Sequence, residues 1–255
     1  MRYRELGGTG LRVSLLGLGT VAFGRTTGLK YAVAPRRPSM RDLTQLLAVA
    51  REAGVNLIDT APAYGDSEQR LGKLLAGHRN DWVLCTKVGE TFEAGASRWD
   101  FSPEYTRRSV QESLKRLCTD RLDVVLVHSN GDDLDIIRNR GTLQMLAQLK
   151  EEGLICAFGM SHKTIAGGLH AAETCDVVMT TLSAAATAEL EVVELARARG
   201  CGVLVKKALD SGRAAQGDDL RRQNLQYVAC VAGVSSIVIG TTNPAHLLAN
   251  AAVLD

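Results

Sequence analysis

The sequence predicts an α/β protein, a (β/α)8 TIM barrel with an N-terminal β-hairpin, forming a single domain over residues 1–255. Three observations carry this expectation. Eight short, β-branched runs recur along the chain, each almost continuously apolar, as strands covered on both faces of a parallel sheet are. Amphipathic stretches with helix start and stop signals lie between them. Eight strand–helix units in about 250 residues is the size of one closed barrel.

The leading YRELGGTGLRV (3–13) has a Gly-rich turn between two extended pieces and reads as the hairpin. The strand runs follow as VSLLGLGT (13–20), NLIDTA (56–61), WVLCTKVG (82–89), LDVVLVHS (122–129), ICAFGMS (155–161), DVVMTTL (176–182), GVLVKKAL (202–209) and SSIVIGT (235–241). Among the helices, SEQRLGKLLAG opens at Ser67 and stops at Gly77. SPEYTRRSVQESLKRL has Ser102 as N-cap, Pro103 at the first helical position and Glu104 in the first turn. TLQMLAQLKEEG and TAELEVVELARARG end at Gly153 and Gly200, each placed to take the left-handed residue after a helix. LGLGTVA offers a rival, because G-x-G-x-x-A after a strand is a fingerprint of the doubly wound dinucleotide fold. That fold needs a helix at once and an acid about 20 residues on. The next stretch, FGRTTGLKYAVAPRRPS, is polar, basic and Pro-bearing and supplies neither.

A net charge of +2, with Lys and Arg scattered among acids, gives no electrostatic footprint for nucleic acid or a membrane surface, so small-molecule partners are expected. The six cysteines lie far apart, without a CxxC pair or clustered histidines; neither a metal site nor a disulfide framework is indicated. The N-terminus lacks the apolar core of a signal peptide, and no apolar run reaches the roughly 18 residues that span a bilayer. A cytoplasmic protein, monomeric rather than oligomeric, is expected.

Chemistry in such barrels sits at the C-terminal ends of the strands. The second strand ends at Asp59, the third at Lys87 and the fourth at His128. With strands about 4.8 Å apart, these side chains converge, and the turn after Asp59 swings Tyr64 over them. A lysine ammonium about 4 Å from a phenol, at an effective dielectric of about 20, is worth about 4 kcal/mol. That would move Tyr64 toward neutrality and suit it to acid–base work, desolvation opposing part of the shift. Asp59 then keeps Lys87 protonated, and His128 hydrogen-bonds the oxygen that Tyr64 protonates. Singly, these residues read as a loop cap, a rim aromatic, a solvated strand end and a core histidine; their conjunction on three consecutive strand ends carries the reading.

Nearly the whole chain resembles the aldo-keto reductase family, through LRVSLLGLGTVAFG, LIDTAPAYGDSEQRLGKLL, LCTKVG, RRSVQESLKRLCTDRLDVVLVH, LKEEGLICAFGMS and SSIVIGTTNPAHLLAN. The resemblance implies that Tyr64 is the proton donor, Lys87 and Asp59 its tuning pair, and His128 the group that orients the carbonyl. The implied reaction is hydride transfer from NADPH, with NADH as the alternative, to a small-molecule aldehyde or ketone. Cofactor contacts are implied at Gly19, Thr20, Ser161, His162, Met179, Lys206, Leu209, Ser211, Gly240, Thr241, Thr242, His246 and Asn250.

The chain departs from the family pattern at the nicotinamide. Ser161 is kept, but His162 stands for an Asn, Met179 for a Gln and Lys206 for a stacking aromatic. Lys206 or Lys207 reads either as a point charge for a pyrophosphate or as a solvated lysine. VIGTTNPAHLLAN matches the site for the adenosine end, where helix N-terminal amides receive a phosphate. Gly240 and His246 stand where many relatives carry the Lys and Arg that hold a 2′-phosphate, so preference between NADPH and NADH stays open. The chain ends at NAAVLD without the C-terminal extension of larger relatives, and the loop VGETFEAGASRWDFS is short, so an open pocket is expected. Trp99, Phe101, Trp82 and Phe23 are candidate walls, Trp82 reading also as core and Phe101 as a hydrophobic staple. Two other functional readings remain: a weakly active nucleotide-binding sensor, motivated by His162, Met179 and Lys206, and a lyase or aldolase using Lys87 or Lys206 as a Schiff-base amine.

Overall fold

Residues 1–28, 36–209 and 217–255 are described by the computed structural model. Strands β1 (Tyr3–Glu5) and β2 (Arg12–Ser14) form the expected antiparallel hairpin, with Tyr3 opposite Ser14. Eight parallel strands then close into a barrel: β3 (Leu16–Gly19), β4 (Leu57–Asp59), β5 (Val83–Val88), β8 (Leu122–His128), β9 (Ile155–Ser161), β10 (Val177–Thr181), β11 (Gly202–Lys206) and β12 (Val234–Gly240), with β12 returning to β3. The run 13–20 is therefore two strands, its first residues finishing the hairpin. Between β5 and β8 stands an antiparallel hairpin, β6 (Glu90–Glu93) and β7 (Ala96–Trp99), in the stretch the sequence presented as a short loop.

Side chains alternate along a strand, so Leu57 and Asp59, Cys85 and Lys87, Leu126 and His128, and Leu204 and Lys206 each share the inward face. The lower members of these pairs pack with Val124, Ala157, Val177 and Met179 into a cluster that fills the barrel. Leu6 and Val13 join it from the hairpin and close its N-terminal end. Gly202 permits this, because a Cβ there would lie 2.7 Å from Leu6 Cδ1. A larger cluster lies between the sheet and the helices.

The helices are α1 (Val21–Gly24), α2 (Met40–Glu52), α3 (Ser67–Leu74), α4 (Pro103–Leu117), α5 (Asp133–Asn139), α6 (Thr142–Glu151), α7 (Ile165–Thr174), α8 (Leu190–Arg199), α9 (Asp218–Cys230) and α10 (Pro244–Leu254). Ser102 caps α4 by accepting from the Tyr105 amide, and Gly153 and Gly200 take positive φ after α6 and α8, as read. Helix α3 begins at Ser67, as read, with the Ser67 hydroxyl drawn inward to Thr20 Oγ1 at 2.9 Å. One reading is corrected. A single helical turn, α1, does follow β3, but it is too short to make the doubly wound fold, and the closed sheet settles the architecture.

Candidate active site

The C-terminal rim of the barrel surrounds a cavity of about 490 Å3 that reaches Asp59, Tyr64, Lys87 and His128. Lys87 Nζ donates to Asp59 Oδ1 at 2.5 Å and to the Thr60 carbonyl at 2.9 Å, with both charged groups buried. Tyr64 sits on a turn closed by its own amide donating to the Ala61 carbonyl at 3.0 Å. The glycine that ends α1 packs on this turn; a Cβ at Gly24 would lie 2.3 Å from the Tyr64 carbonyl. The phenol ring lies with its centroid 5.0 Å from Lys87 Nζ and meets the His128 ring edge-on, centroids 6.2 Å apart.

Burial works against a charged Lys87, but Asp59, and after it Tyr64, more than reverse this and hold its pKa well above the ordinary lysine value. For Tyr64 burial is the largest influence and pushes the phenol up to about 12, against the downward pull of Lys87. This corrects the expectation of a tyrosine moved toward neutrality. Lys87 is matched so closely by Asp59 that a phenolate would face a nearly neutral pair, and Asp59 itself adds to the rise.

The reading from sequence missed Glu90. Its Oε2 lies 2.7 Å from His128 Nδ1, off the line of an ideal ring hydrogen bond, and Ser97 Oγ donates to Oε1 at 2.5 Å. Burial alone would raise the Glu90 carboxyl; His128, Ser97 and Arg25 together hold it down to about 2. The signal was legible in EAGA, where Ala94 (φ 50°) and Gly95 (φ 81°) supply the two left-handed residues of a tight hairpin turn. Asp133, at the start of α5, was missed too. Its Oδ2 accepts from the amides of Lys163 (3.0 Å) and Thr164 (2.6 Å) and from Thr164 Oγ1 (2.6 Å), while Ser129 Oγ donates to Oδ1. This carboxylate ties the segment after β8 to the segment after β9.

Of the positions implied as cofactor contacts, Gly19, Thr20, Ser161, Met179, Lys206, Leu209 and Gly240 line the cavity. Lys206 is half-buried, reaching across to donate to Ser161 Oγ at 2.9 Å and the His162 carbonyl at 2.7 Å, which removes its reading as a solvated lysine. Burial lowers its pKa to about 8. His162 is not among the residues lining the cavity. Its ring is fully buried beneath α7, Nδ1 is 3.1 Å from the Thr164 carbonyl, and a Cβ at Gly168 would lie 2.6 Å from it. Thr241 and Asn250 lie together in a separate narrow crevice, while Thr242, half-exposed, and His246, exposed, flank the start of α10. Ser211 lies outside the described residues.

None of the four aromatic walls expected from sequence lines the cavity. Phe23, Trp82 and Phe101 are core, Phe101 lying against Gly89, and Trp99 is largely exposed on β7 under Lys163 Nζ at 5.8 Å. The cavity is instead edged by Arg25, whose guanidinium stacks 3.4 Å above the Phe92 ring. The donor set fits a nicotinamide dinucleotide. Gly19 and Gly240 bring bare backbone together, a Gly19 Cβ lying 3.3 Å from the Gly240 amide, and Lys206 and Lys207 both line the cavity.

Residues 15–224 match the aldo/keto reductase family. A solved structure from Pseudomonas aeruginosa, described as a candidate aldo-keto reductase, is 51% identical, with a TM-score of 0.91 over 99% of this chain and 94% of that one. The holo form of an aldo-keto reductase from Bacillus halodurans is 27% identical, with a TM-score of 0.85 over 100% of this chain and 91% of that one. L-galactose dehydrogenase of Arabidopsis thaliana is 38% identical over 59% of this chain and 45% of its own length. The chain spans about half the length of the curated relatives it matches. With the barrel, the hairpin and the rim in place, the chain belongs to the aldo/keto reductase family.

Proposed function

We propose that this oxidoreductase-family protein reduces small aldehydes or ketones to alcohols with NAD(P)H, Tyr64 being the proton donor. The observation that carries the reading is the Tyr64 phenol opening on the same cavity as the buried Lys87–Asp59 pair. The bound cofactor supplies the hydride. The chain supplies the proton and its placement. A phenol at about 12 remains far more acidic than an aliphatic alcohol, whose basicity as alkoxide is of the order of hydroxide's (water about 15.7), so proton transfer from Tyr64 to the reduced oxygen runs downhill. Lys87 stands behind the tyrosine as a fixed cation as the phenolate forms, and Asp59 keeps it charged. The same constraint argues against Lys87 as a Schiff-base amine, since a lysine held protonated is no nucleophile.

The test is to mix the protein with NADPH and an activated aromatic aldehyde and follow cofactor absorbance. Turnover that disappears in Tyr64→Phe supports the proposal; an unchanged rate in that variant sinks it. A second reading, a nucleotide-binding sensor with little turnover, draws on Lys206 and Met179 lining the cavity where the family pattern has an aromatic and a glutamine. Tight NADPH binding by fluorescence with no turnover over a broad carbonyl panel would favour the sensor.

A further inference from the structure

We propose that Glu90 is a positioning residue that holds His128 in the Nδ1–H tautomer, presenting Nε2 to the cavity as a hydrogen-bond acceptor. The proposal rests on the reductase reading of the cavity and adds a group to it. An ionised carboxylate only accepts, whereas a neutral imidazole carries one donor and one acceptor nitrogen. With Glu90 Oε2 at 2.7 Å from Nδ1, the proton of a neutral His128 belongs on Nδ1 and the lone pair on Nε2. Among the described residues neither ring nitrogen makes a well-aligned hydrogen bond; Nδ1 is the buried one, with Glu90 Oε2 as its close charged neighbour, and His128 lines the cavity.

The carboxylate is built in place. Glu90 is buried, and its other oxygen takes the Ser97 hydroxyl across the β6–β7 ladder. In that ladder Glu90 pairs with Trp99 and Phe92 with Ser97, so these four side chains share one face. Arg25, on the Phe92 ring, adds a nearby cation that helps keep the carboxylate ionised.

A consequence for the ligand follows. A carbonyl oxygen only accepts, so a neutral His128 with its lone pair outward has nothing to offer it. An alcohol hydroxyl can donate to that lone pair. Protonated His128 reverses the preference, because Nε2–H donates to a carbonyl oxygen. The charged groups facing the ring are Glu90 from β6, Lys87 from β5 and Lys206 from β11, with Tyr64 from the turn after β4. Glu90 favours the imidazolium; burial and the two lysines oppose it. Carbonyl binding should therefore strengthen, and alcohol binding weaken, as pH falls through the titration of His128.

The test is direct observation of the ring nitrogens of His128 by proton–nitrogen correlation NMR on the full chain, which needs neither cofactor nor turnover. The parent should show the Nδ1–H pattern at neutral pH. In Glu90→Gln the tautomers should mix, and the His128 titration should move about one to two pH units lower, as loss of an opposite charge requires. The pH at which carbonyl and alcohol bind equally should move with it. Ser97→Ala, which keeps the carboxylate but loosens it, should give a smaller shift in the same direction and serves where Glu90→Gln does not fold. An Nε2–H pattern in the parent, or a titration that neither variant moves, overturns the proposal. An inactive protein with the Nδ1–H pattern sinks only the reductase reading; an active one with the Nε2–H pattern sinks only this proposal.

Discussion

Lys87 and Asp59 form an ion pair at 2.5 Å across adjacent strand ends, both side chains buried at the floor of the cavity, with the Thr60 carbonyl taking a second proton of the ammonium at 2.9 Å. Removing one partner of such a pair strands the other charge. Asp59→Asn should therefore cost about 3–5 kcal/mol of stability. Adding Lys87→Met to it should recover part of that loss, because no unpaired charge is then left inside. Urea unfolding of the two single variants and the double closes the cycle; a double variant less stable than both singles would show that the pair is not an isolated charge couple.

Tyr64 gives a spectroscopic prediction. Burial holds the phenol at about 12, so the protein should show no Tyr64 phenolate at pH 10, where an exposed tyrosine is half ionised. In the difference between parent and Tyr64→Phe, near-ultraviolet titration should place this residue's ionisation about two pH units above an exposed tyrosine's. Turnover in the variant should fall by about 10²–10⁴, the range expected for loss of an acid–base group. A Tyr64 that ionises near pH 8 would reinstate the simpler picture in which Lys87 dominates.

Lys206 titrates in the opposite sense from Lys87. Its folded value of about 8 lies below the ordinary lysine value of about 10.4. Between these the unfolded chain binds the extra proton, so this residue makes stability rise with pH across that window. Below about pH 8 both states are protonated and the slope vanishes. Lys206→Met should flatten the rise, as read from urea midpoints between pH 7 and 10. An equal slope in parent and variant would mean that the ammonium is better solvated than its burial indicates.

The strands were legible because a wall covered on both faces reads as an unbroken apolar run, and the rim residues Asp59, Lys87 and His128 were legible because they interrupt such runs at the ends. What stayed hidden depends on depth and on partners distant in sequence. Ser67 marks the start of α3 in the sequence, but only the fold turns its hydroxyl toward Thr20. The rise of Tyr64 depends on how far the turn sinks it. Glu90 is one of three acids in a polar stretch, with Glu93 and Asp100, and only the folding of β6 on β7 turns it toward His128. His162 occupies the alignment position of a cofactor contact, yet its ring fills the space above Gly168.

The paired glycines at the start of α7 give the last prediction. In a helix, Gly→Ala ordinarily stabilises by about 0.5–1 kcal/mol because alanine has less backbone entropy to lose. At Gly167 the sign should invert. A Cβ there would lie 2.1 Å from Asp133 Cβ and 2.5 Å from its Oδ2, the oxygen that already accepts from Lys163, Thr164 and the Thr164 hydroxyl. Neither partner can retreat without breaking the link between the segments after β8 and β9. Gly167→Ala should therefore destabilise by about 1–3 kcal/mol, the range for overpacking. Because that link sets the relative positions of His128 and Ser161, KM for the carbonyl should rise in the folded fraction. Thermal unfolding read together with KM checks both effects, and a stabilised variant with unchanged KM would show that Asp133 yields freely and does not fix the rim.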